Sequence, residues 1–370
     1  MTSSAKAECL LAPEHDAADV EATVTVTIET PSGRFEFPCR DGEPVLHAGL
    51  AQGVTLPYEC ATGTCGTCRG RTMSGDVSAG WDQSPALAKL KRDKGDILLC
   101  QARAHSDCLI RVPSKAVARI SLDAAPSQCS GVIRSSRQLT RDVIEFTVAL
   151  AHPMRFEAGQ FVLVTAPTVT GARAYSMVNY SPRATEIVLV VKRKPNGGFS
   201  DWLFSNLIEG AELELFGPMG RATFGPEDEK NLVIVGGGSG IAGMMAILER
   251  ATGLGHFGKH RGHVFFGVPT LSDGFYLEEL SDYAKRADGA LEVTLALSNE
   301  DPAADTHPSY PSIRLAKGFV HEVMSKAMAG RYDNTLAFVG GPPPMVDGAL
   351  RVFMTEGGLP PTSIRYDKFG

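Results

Sequence analysis

Cys60, Cys65, Cys68 and Cys100 are spaced C-x4-C-x2-C, followed by 31 residues and the fourth cysteine. One tight loop with that spacing can wrap three thiolates around the edge of a small cluster, while a separate strand brings the fourth; this is the ligand spacing of a [2Fe–2S] centre. Gly63 and Gly66 let such a loop take positive φ and aim N–H groups at sulfur. A centre of this kind does one-electron chemistry. Two other readings use the same residues: ordinary buried cysteines, or a zinc site, although zinc sites favour two C-x2-C knuckles and one is present. Cys9, Cys39, Cys108 and Cys129 show no pairing pattern, and Cys39 and Cys108 read as small core residues. So few cysteines in so long a chain argue against a disulfide framework.

Further along, Gly236, Gly237, Gly238, Ser239, Gly240 and the following Ile-Ala-Gly join an apolar run to a helical one. Glycines there admit a phosphate-bearing ligand to the backbone, and the helix start favours its charge. The stretch satisfies G-x-G-x-x-G, a weak pattern alone, and a plain structural turn is the alternative. The acidic residue expected about twenty positions on is absent, so Asp273 is the nearer candidate for a ribose contact. Gly340, Gly341 and Pro342 follow the last apolar strand, where α/β sheets bind ligands, or form a rigid turn. Arg173, Tyr175 and Ser176 lie on a strand-like segment, with Arg173 and Tyr175 on one face and Ser176 on the other. Arginine can clamp a phosphate and tyrosine can lie on a ring system. Gly197 and Gly198 allow a second close anion approach, with Ser200 a helix N-cap. The carboxyl end, through Asp367 and Phe369, reads by itself as a frayed tail.

The elements that must position these residues fall into three patterns. Residues 23–118 give a hairpin (Val24, Val26 and Ile28 alternating, a turn at Pro31-Ser32-Gly33, then Phe35 and Phe37), a short helix from Val45 to Ala51, and strands at Asp96–Cys100 and Cys108–Val112. Residues 119–130 lose apolar periodicity and read as a linker, and residues 1–22, rich in Ala, Ser and acid, as a mobile tail. Residues 131–226 carry frequent short alternating strands, as in a closed antiparallel barrel. Residues 227–370 alternate buried strands with helices, a parallel α/β layout. The fold class is therefore multidomain: a small α+β sheet of β-grasp type, an antiparallel β-barrel and an α/β parallel-sheet domain.

With 370 residues and 43% hydrophobic residues, two or three real cores are expected. The formal charge of −6 argues against nucleic acid as a partner. No apolar run is long enough for membrane insertion, and the amino terminus lacks a secretory pattern, so a cytoplasmic location is expected. Residues 23–118 hold eleven Lys/Arg and ten Asp/Glu, with Lys89, Lys91, Arg92 and Lys94 forming a basic run. That run is either a solvated face or a surface for an acidic partner.

In this order, the motifs resemble the NAD(P)H-dependent reductase components of multicomponent bacterial oxygenases (toluene, xylene or alkene monooxygenase type), within the ferredoxin–NADP reductase superfamily. The resemblance runs from about Thr23 to the end of the chain. It implies a [2Fe–2S] cluster, FAD and NADH, with electrons passing in the order NADH, FAD, cluster, then a hydroxylase component or a Rieske-type ferredoxin. It implies Arg173 on the FAD pyrophosphate, Tyr175 against the isoalloxazine, Ser176 at flavin N5, and Gly197, Gly198 and Ser200 around the FAD phosphates. It also implies Phe369 shielding the flavin and Asp367 helping to position hydride transfer. Two departures from the family stand out: Gly340 occupies a usual cysteine position, and Pro269 a position often held by arginine. Loss of that cation near Asp273 favours NADH over NADPH. Reductases of deoxysugar dehydratases or ring-hydroxylating dioxygenases share the layout. Respiratory quinone reductase subunits share it with an added membrane helix, and a redox-sensing protein that keeps the fold without turnover is a non-enzymatic alternative.

Overall fold

The computed structural model describes residues 23–117, 125–205 and 208–369. The expected tail at 1–22 and the first half of the expected linker, residues 119–124, lie outside the described residues.

The first domain is built from β1 (Thr23–Thr30), β2 (Gly33–Arg40), α1 (Val45–Ala51), β3 (Arg69–Ser74), the short β4 (Val77–Ser78), β5 (Asp96–Leu98), β6 (Arg103–Ala104) and β7 (Cys108–Arg111); β4 and β6 pair as a separate ribbon, and the other five strands form the first sheet. The sheet order is β2-β1-β7-β3-β5, with β1 antiparallel to β2 and parallel to β7. Val26, Ile28, Phe37 and Cys39 point inward at alternate positions and meet Leu46 and Leu50 of α1. The strand expected to run to Cys100 stops at Leu98, so Cys100 lies in the turn after β5.

The second sheet holds β8 (Ser127–Thr140), β9 (Val143–Met154), β10 (Phe161–Thr165), β11 (Arg173–Ser176), β12 (Ala184–Lys192), α2 (Gly198–Ser205) and β13 (Glu212–Met219). Its six strands run β11-β10-β13-β8-β9-β12, all antiparallel. An antiparallel bridge from Met177 to Leu189 brings the two edges together and curls the sheet into a barrel. β8 begins inside the stretch read as linker. Its polar residues Ser127 to Ser130 are held by pairing with β13, a tertiary contact that local polarity hides.

The third sheet comprises β14 (Asn231–Gly237), α3 (Ala242–Gly253), β15 (Gly262–Val268), α4 (Leu277–Arg286), β16 (Leu291–Leu297), β17 (Ile313–Lys317), α5 (Val320–Met328), β18 (Thr335–Gly341), α6 (Pro343–Thr355) and β19 (Ile364–Lys368). All six strands are parallel, in the order β17-β16-β15-β14-β18-β19. Apolar side chains cover both faces, which explains the continuous apolar runs. The carboxyl end is not frayed. β19 pairs with β18, and Arg365 makes two hydrogen bonds to Asp228, at 2.6 and 2.7 Å. No described helix is long and apolar enough to cross a membrane.

The first two domains share a packed boundary. Phe161, Leu163, Phe216 and Met219 of the barrel join the core of the first sheet. Burying each such side chain stabilises by about 1.5–3 kcal/mol. Gly220 N–H donates to the Tyr58 hydroxyl at 3.1 Å, and the His47 ring stacks on Phe216 at 3.9 Å. His47 Nε2 is buried without a partner, and burial, then the Arg103 charge, lowers its pKa to about 3. The unfolded chain binds this proton more tightly, so the stability from neutral His47 is present above pH ~6.5 and is lost as pH falls toward the folded value. We predict that His47→Phe, which keeps the stack, removes about 1 kcal/mol of the stability loss between pH ~7 and ~5.5. Urea midpoints at the two pH values check this; parallel midpoints for variant and parent would contradict it.

Candidate functional site

The cluster loop runs from Tyr58 to Cys68, between α1 and β3. Gly63 and Gly66 have φ of 84° and 85°, and Ala61 joins them at 54°. The curled backbone points N–H groups at sulfur: Thr62 and Cys65 lie 3.4 Å from Cys60 Sγ, and Thr67 lies 3.5 Å from Cys65 Sγ. Strand register supplies the fourth thiol. Arg69 pairs with Leu98, and Leu99 N–H donates to Cys68 O at 2.9 Å. Cys100 Sγ therefore lies 3.3 Å from Cys68 Sγ. All four thiols are free. They fall in two interacting pairs, Cys60 with Cys65 and Cys68 with Cys100. Among the described residues, no three His, Cys, Asp or Glu side chains converge as ligands of one ion. Two thiol pairs suit a two-iron centre, one pair per iron, better than a single tetrahedral zinc. Cys39 and Cys108 are buried core thiols; burial, with the Glu43 charge second, pushes Cys39 up to about 12.

Arg173, Tyr175 and Ser176 lie on β11, an edge of the barrel. The Tyr175 ring sits 5.2 Å from Phe199 of α2, and burial raises its pKa. Ser176 is buried, with Cβ 3.2 Å from where a Cβ on Gly243 would stand, so it packs on the start of α3. Arg173 makes no ion pair among the described residues and donates only to Ala172 O, at 3.0 Å. It lies on the wall of a cavity of about 970 Å³ between the barrel and Cys100. A free guanidinium on a cavity wall fits an anionic group such as a pyrophosphate.

Ser200 is not an N-cap. α2 starts at Gly198, and the Ser200 hydroxyl reaches back, accepting from Lys194 N–H and donating to Lys194 O or Gly197 O, each at 3.1 Å. A Cβ on Gly197 would stand 2.7 Å from Ser200 Oγ, so this glycine lets the turn close. Ser200 thus holds the turn from Lys194 to Gly197 closed.

A second cavity of about 710 Å³ opens at the carboxyl ends of β14, β15, β16 and β18. Gly237, Gly238, Ser239 and Gly240 form one wall, Gly341 and Pro342 another. Gly236 and Gly340 serve packing. A Cβ on Gly236 would meet Ile241 at 2.7 Å, and one on Gly340 would stand 2.5 Å from Gly240 O. Asp273 does not line this cleft. Its carboxylate accepts from Thr270 N–H at 3.0 Å and Thr270 Oγ at 2.7 Å, a capping box, and lies 3.6 Å from Arg141. The carboxylate on the cleft wall is Glu322, beside His321 in the first turn of α5, with Pro269 also lining it. No glycine or proline pattern marks that turn, so the sequence carried no signal for Glu322.

β19 brings Asp367 opposite Gly340, and Phe369 N–H donates to Gly341 O at 3.1 Å. Phe369 lines the nucleotide-sized cleft and also a small crevice shared with Glu59, Cys60 and Ala174. Asp367 is half-buried by accessible surface; burial, then the Glu59 charge, pushes its carboxyl up to about 7. One aromatic residue therefore touches both the cleft and the edge of the cluster loop.

Three families match in succession: "2Fe-2S iron-sulfur cluster binding domain" over residues 29–105, "Oxidoreductase FAD-binding domain" over 130–224 and "Oxidoreductase NAD-binding domain" over 234–351. The chain is 35% identical to the ferredoxin–NAD(+) reductase component of the alkene monooxygenase system of Xanthobacter autotrophicus, covering 90% of this chain and 97% of that protein. It is 30% identical to the reductase component of phenol 2-monooxygenase from Pseudomonas sp. (strain CF600), covering 89% and 90%. The solved ferredoxin reductase in carbazole 1,9a-dioxygenase superposes with a TM-score of 0.77 at 30% identity, covering 94% of this chain and 99% of that one.

Proposed function

This chain belongs to the family of ferredoxin–NAD reductase components, in which [2Fe–2S], FAD-binding and NAD-binding domains share one polypeptide, and on that premise we propose that it is the electron-delivering component of a multicomponent oxygenase. It is an oxidoreductase that passes electrons from NADH through FAD to the [2Fe–2S] centre. The bound flavin supplies the exchange between two-electron and one-electron chemistry, and the protein supplies position and electrostatics.

The residues divide that work. Cys60, Cys65, Cys68 and Cys100 hold the cluster. Arg173 takes the FAD pyrophosphate, with Gly197, Gly198 and the Ser200-shaped turn receiving phosphate oxygens. Tyr175 packs on the ring system, and Ser176 offers its hydroxyl at the boundary of barrel and α3. Gly237 to Gly240, Gly341 and Pro342 line the dinucleotide cleft, with Gly236 and Gly340 holding its walls together, Phe369 just after β19 closing it, and Asp367 in the adjoining crevice. The acceptor is an oxygenase hydroxylase or its ferredoxin, by analogy with the alkene and phenol monooxygenase reductase components. The four thiols must stay reduced to hold iron, which fits the reducing cytoplasm. With the barrel's start moved back to Ser127, domain limits at 23–118, 127–226 and 227–370 give each domain its own sheet.

The observation that carries this reading is Phe369, which lines the dinucleotide cleft and the crevice at Cys60. Phe369→Ala is expected to change kcat/KM for NADH by about tenfold, because it alters stacking and approach geometry, while flavin content stays at one per chain. Steady-state kinetics beside flavin absorbance check it; an unchanged kinetic profile would reject the assignment. A redox sensor would show no NADH-driven turnover with cytochrome c, whereas the reductase turns over.

The cleft also suggests a nucleotide preference. Pro269 supplies no cation, Lys192 is engaged by Asp142 at 3.3 Å, and Glu322 faces the cleft. A 2′-phosphate would lose a partner and meet a carboxylate. We expect kcat/KM for NADH to exceed that for NADPH by about tenfold or more, the scale of an unpaired charged contact. Equal values would defeat this.

A further inference from the structure

We propose that the exposed face around Cys65, Lys89, Lys91 and Lys94 docks an acidic protein that receives electrons from the cluster domain, an inference that rests on the reductase function above. Of the four candidate cluster thiols, Cys65 is exposed and the other three are buried. The segment that carries the lysines starts against the same loop. Ser84 Oγ and Ala86 N–H both donate to Gly63 O, at 2.5 and 3.1 Å, and a Cβ on Gly66 would stand 3.6 Å from the Ala86 methyl.

The lysines follow within a few residues: Lys89 ends the 3₁₀ turn Pro85–Lys89, Lys91 precedes the turn Arg92–Lys94, and Lys94 ends it. All three are exposed and make no ion pair among the described residues. The neighbouring carboxylates are mostly engaged: Asp82 holds Arg92 at 2.8 Å, and buried Asp96 holds Arg71 at 2.7 Å and accepts from Lys91 N–H. Asp93 alone stands exposed between the lysines. Exposed Arg69, next to Cys68, adds to the positive side.

Charge on the loop is divided by direction. Glu59, the acidic residue beside Cys60, shares a crevice with Tyr366 and Lys368 of β19, on the side facing the nucleotide-binding domain. The exposed side carries the cations. The whole chain has a formal charge of −6, so this face is a local reversal of sign. Such a patch draws an oppositely charged protein over about one Debye length, ~10 Å at 0.1 M salt, and orients it on arrival. An acidic surface seated here would cover the exposed thiol edge.

The test uses the holoprotein with cytochrome b5, an acidic haem protein, as probe and basic cytochrome c as its counterpart. Binding of oxidised cytochrome b5, measured by calorimetry without NADH, is expected to weaken about tenfold between ~20 and ~300 mM NaCl. The triple variant K89E/K91E/K94E is expected to bind at least about tenfold more weakly at low salt, with cluster absorbance and NADH-ferricyanide activity kept. The distant pair K259E/K326E should bind as the parent does. Salt-independent binding, a triple variant within about twofold of the parent, or tighter binding of cytochrome c than of cytochrome b5 would each overturn the proposal. Should the triple variant lose its cluster, the salt series on the parent and the neutral K89Q/K91Q/K94Q variant decide.

Discussion

Cys100→Ser should lower NADH-driven cytochrome c reduction by at least the ~100-fold that even outer-shell changes reach at metal centres. The reason is the local geometry. Leu99 N–H is fixed to Cys68 O at 2.9 Å, so the side chain at 100 is held 3.3 Å from Cys68 Sγ. Cys100 is buried, and its thiol is the one that the pairing of β3 with β5 delivers to Cys68. A serine oxygen is a poorer ligand than thiolate and its shorter bond falls short of the iron. NADH reduction of ferricyanide, which draws on the flavin, should stay within about twofold, because the third sheet and the barrel keep their cores. Cys39→Ala provides the contrast: its thiol is protonated and buried in the first core, so the variant loses stability by about 1 kcal/mol and keeps cytochrome c reduction. Parallel cytochrome c and ferricyanide assays check both. A Cys100→Ser protein that reduces cytochrome c like the parent would remove residue 100 from the ligand set.

Gly240→Ala should be the most damaging single methyl in the nucleotide-binding domain. Its Cβ would stand 2.3 Å from Gly340 O and 2.4 Å from Gly340 C. Both are backbone atoms of β18, which is hydrogen-bonded to β14 and β19, so nothing flexible can move aside. A shift of β18 would carry Gly341 and Pro342 with it and deform the cleft. We expect a loss of about 1–3 kcal/mol of stability and at least about a tenfold rise in KM for NADH, with flavin and iron content unchanged. Gly253→Ala, at the end of α3 with nothing beyond its own helix turn within 4 Å of its Cβ, should instead be neutral or stabilise by up to about 1 kcal/mol. Thermal melts and NADH titrations of the two variants check the pair, and a Gly240→Ala protein that melts and binds like the parent would show the approach to be relaxed in solution.

What was legible in the sequence follows from how local each signal is. The cluster ligands could be read because thiolate spacing is dictated by the cluster, not by the rest of the fold. β1 and β2 could be read because Val24, Val26, Ile28, Phe35 and Phe37 alternate. β3 could not: Arg69, Gly70, Arg71, Thr72, Met73 and Ser74 show no apolar alternation, and the segment is a strand only because β5 and β7 pair with it on either side. β19 was hidden for the same reason. Its Arg-Tyr-Asp-Lys sequence is that of an exposed edge, and the pairing with β18 and the Arg365–Asp228 bonds hold it. Asp273 drew attention as an acid after the second strand of its sheet. The Thr270-x-x-Asp273 pattern beside it is a capping-box signature, and that is where the structure places its carboxylate. Glu322 reaches the cleft only because β17 and α5 return the chain there, a topological fact that no short motif encodes.

The central claim is that NADH electrons reach the [2Fe–2S] centre through flavin within this one chain. An anaerobic NADH titration of the fully reconstituted protein, followed by absorbance and EPR, tests it most directly. The account predicts bleaching of both chromophores, an endpoint near ~1.5 NADH per chain (two electrons on the flavin and one on the cluster) and the EPR signal of a reduced [2Fe–2S] centre. An endpoint near one NADH, with the flavin bleached and the iron centre silent by EPR, would contradict it.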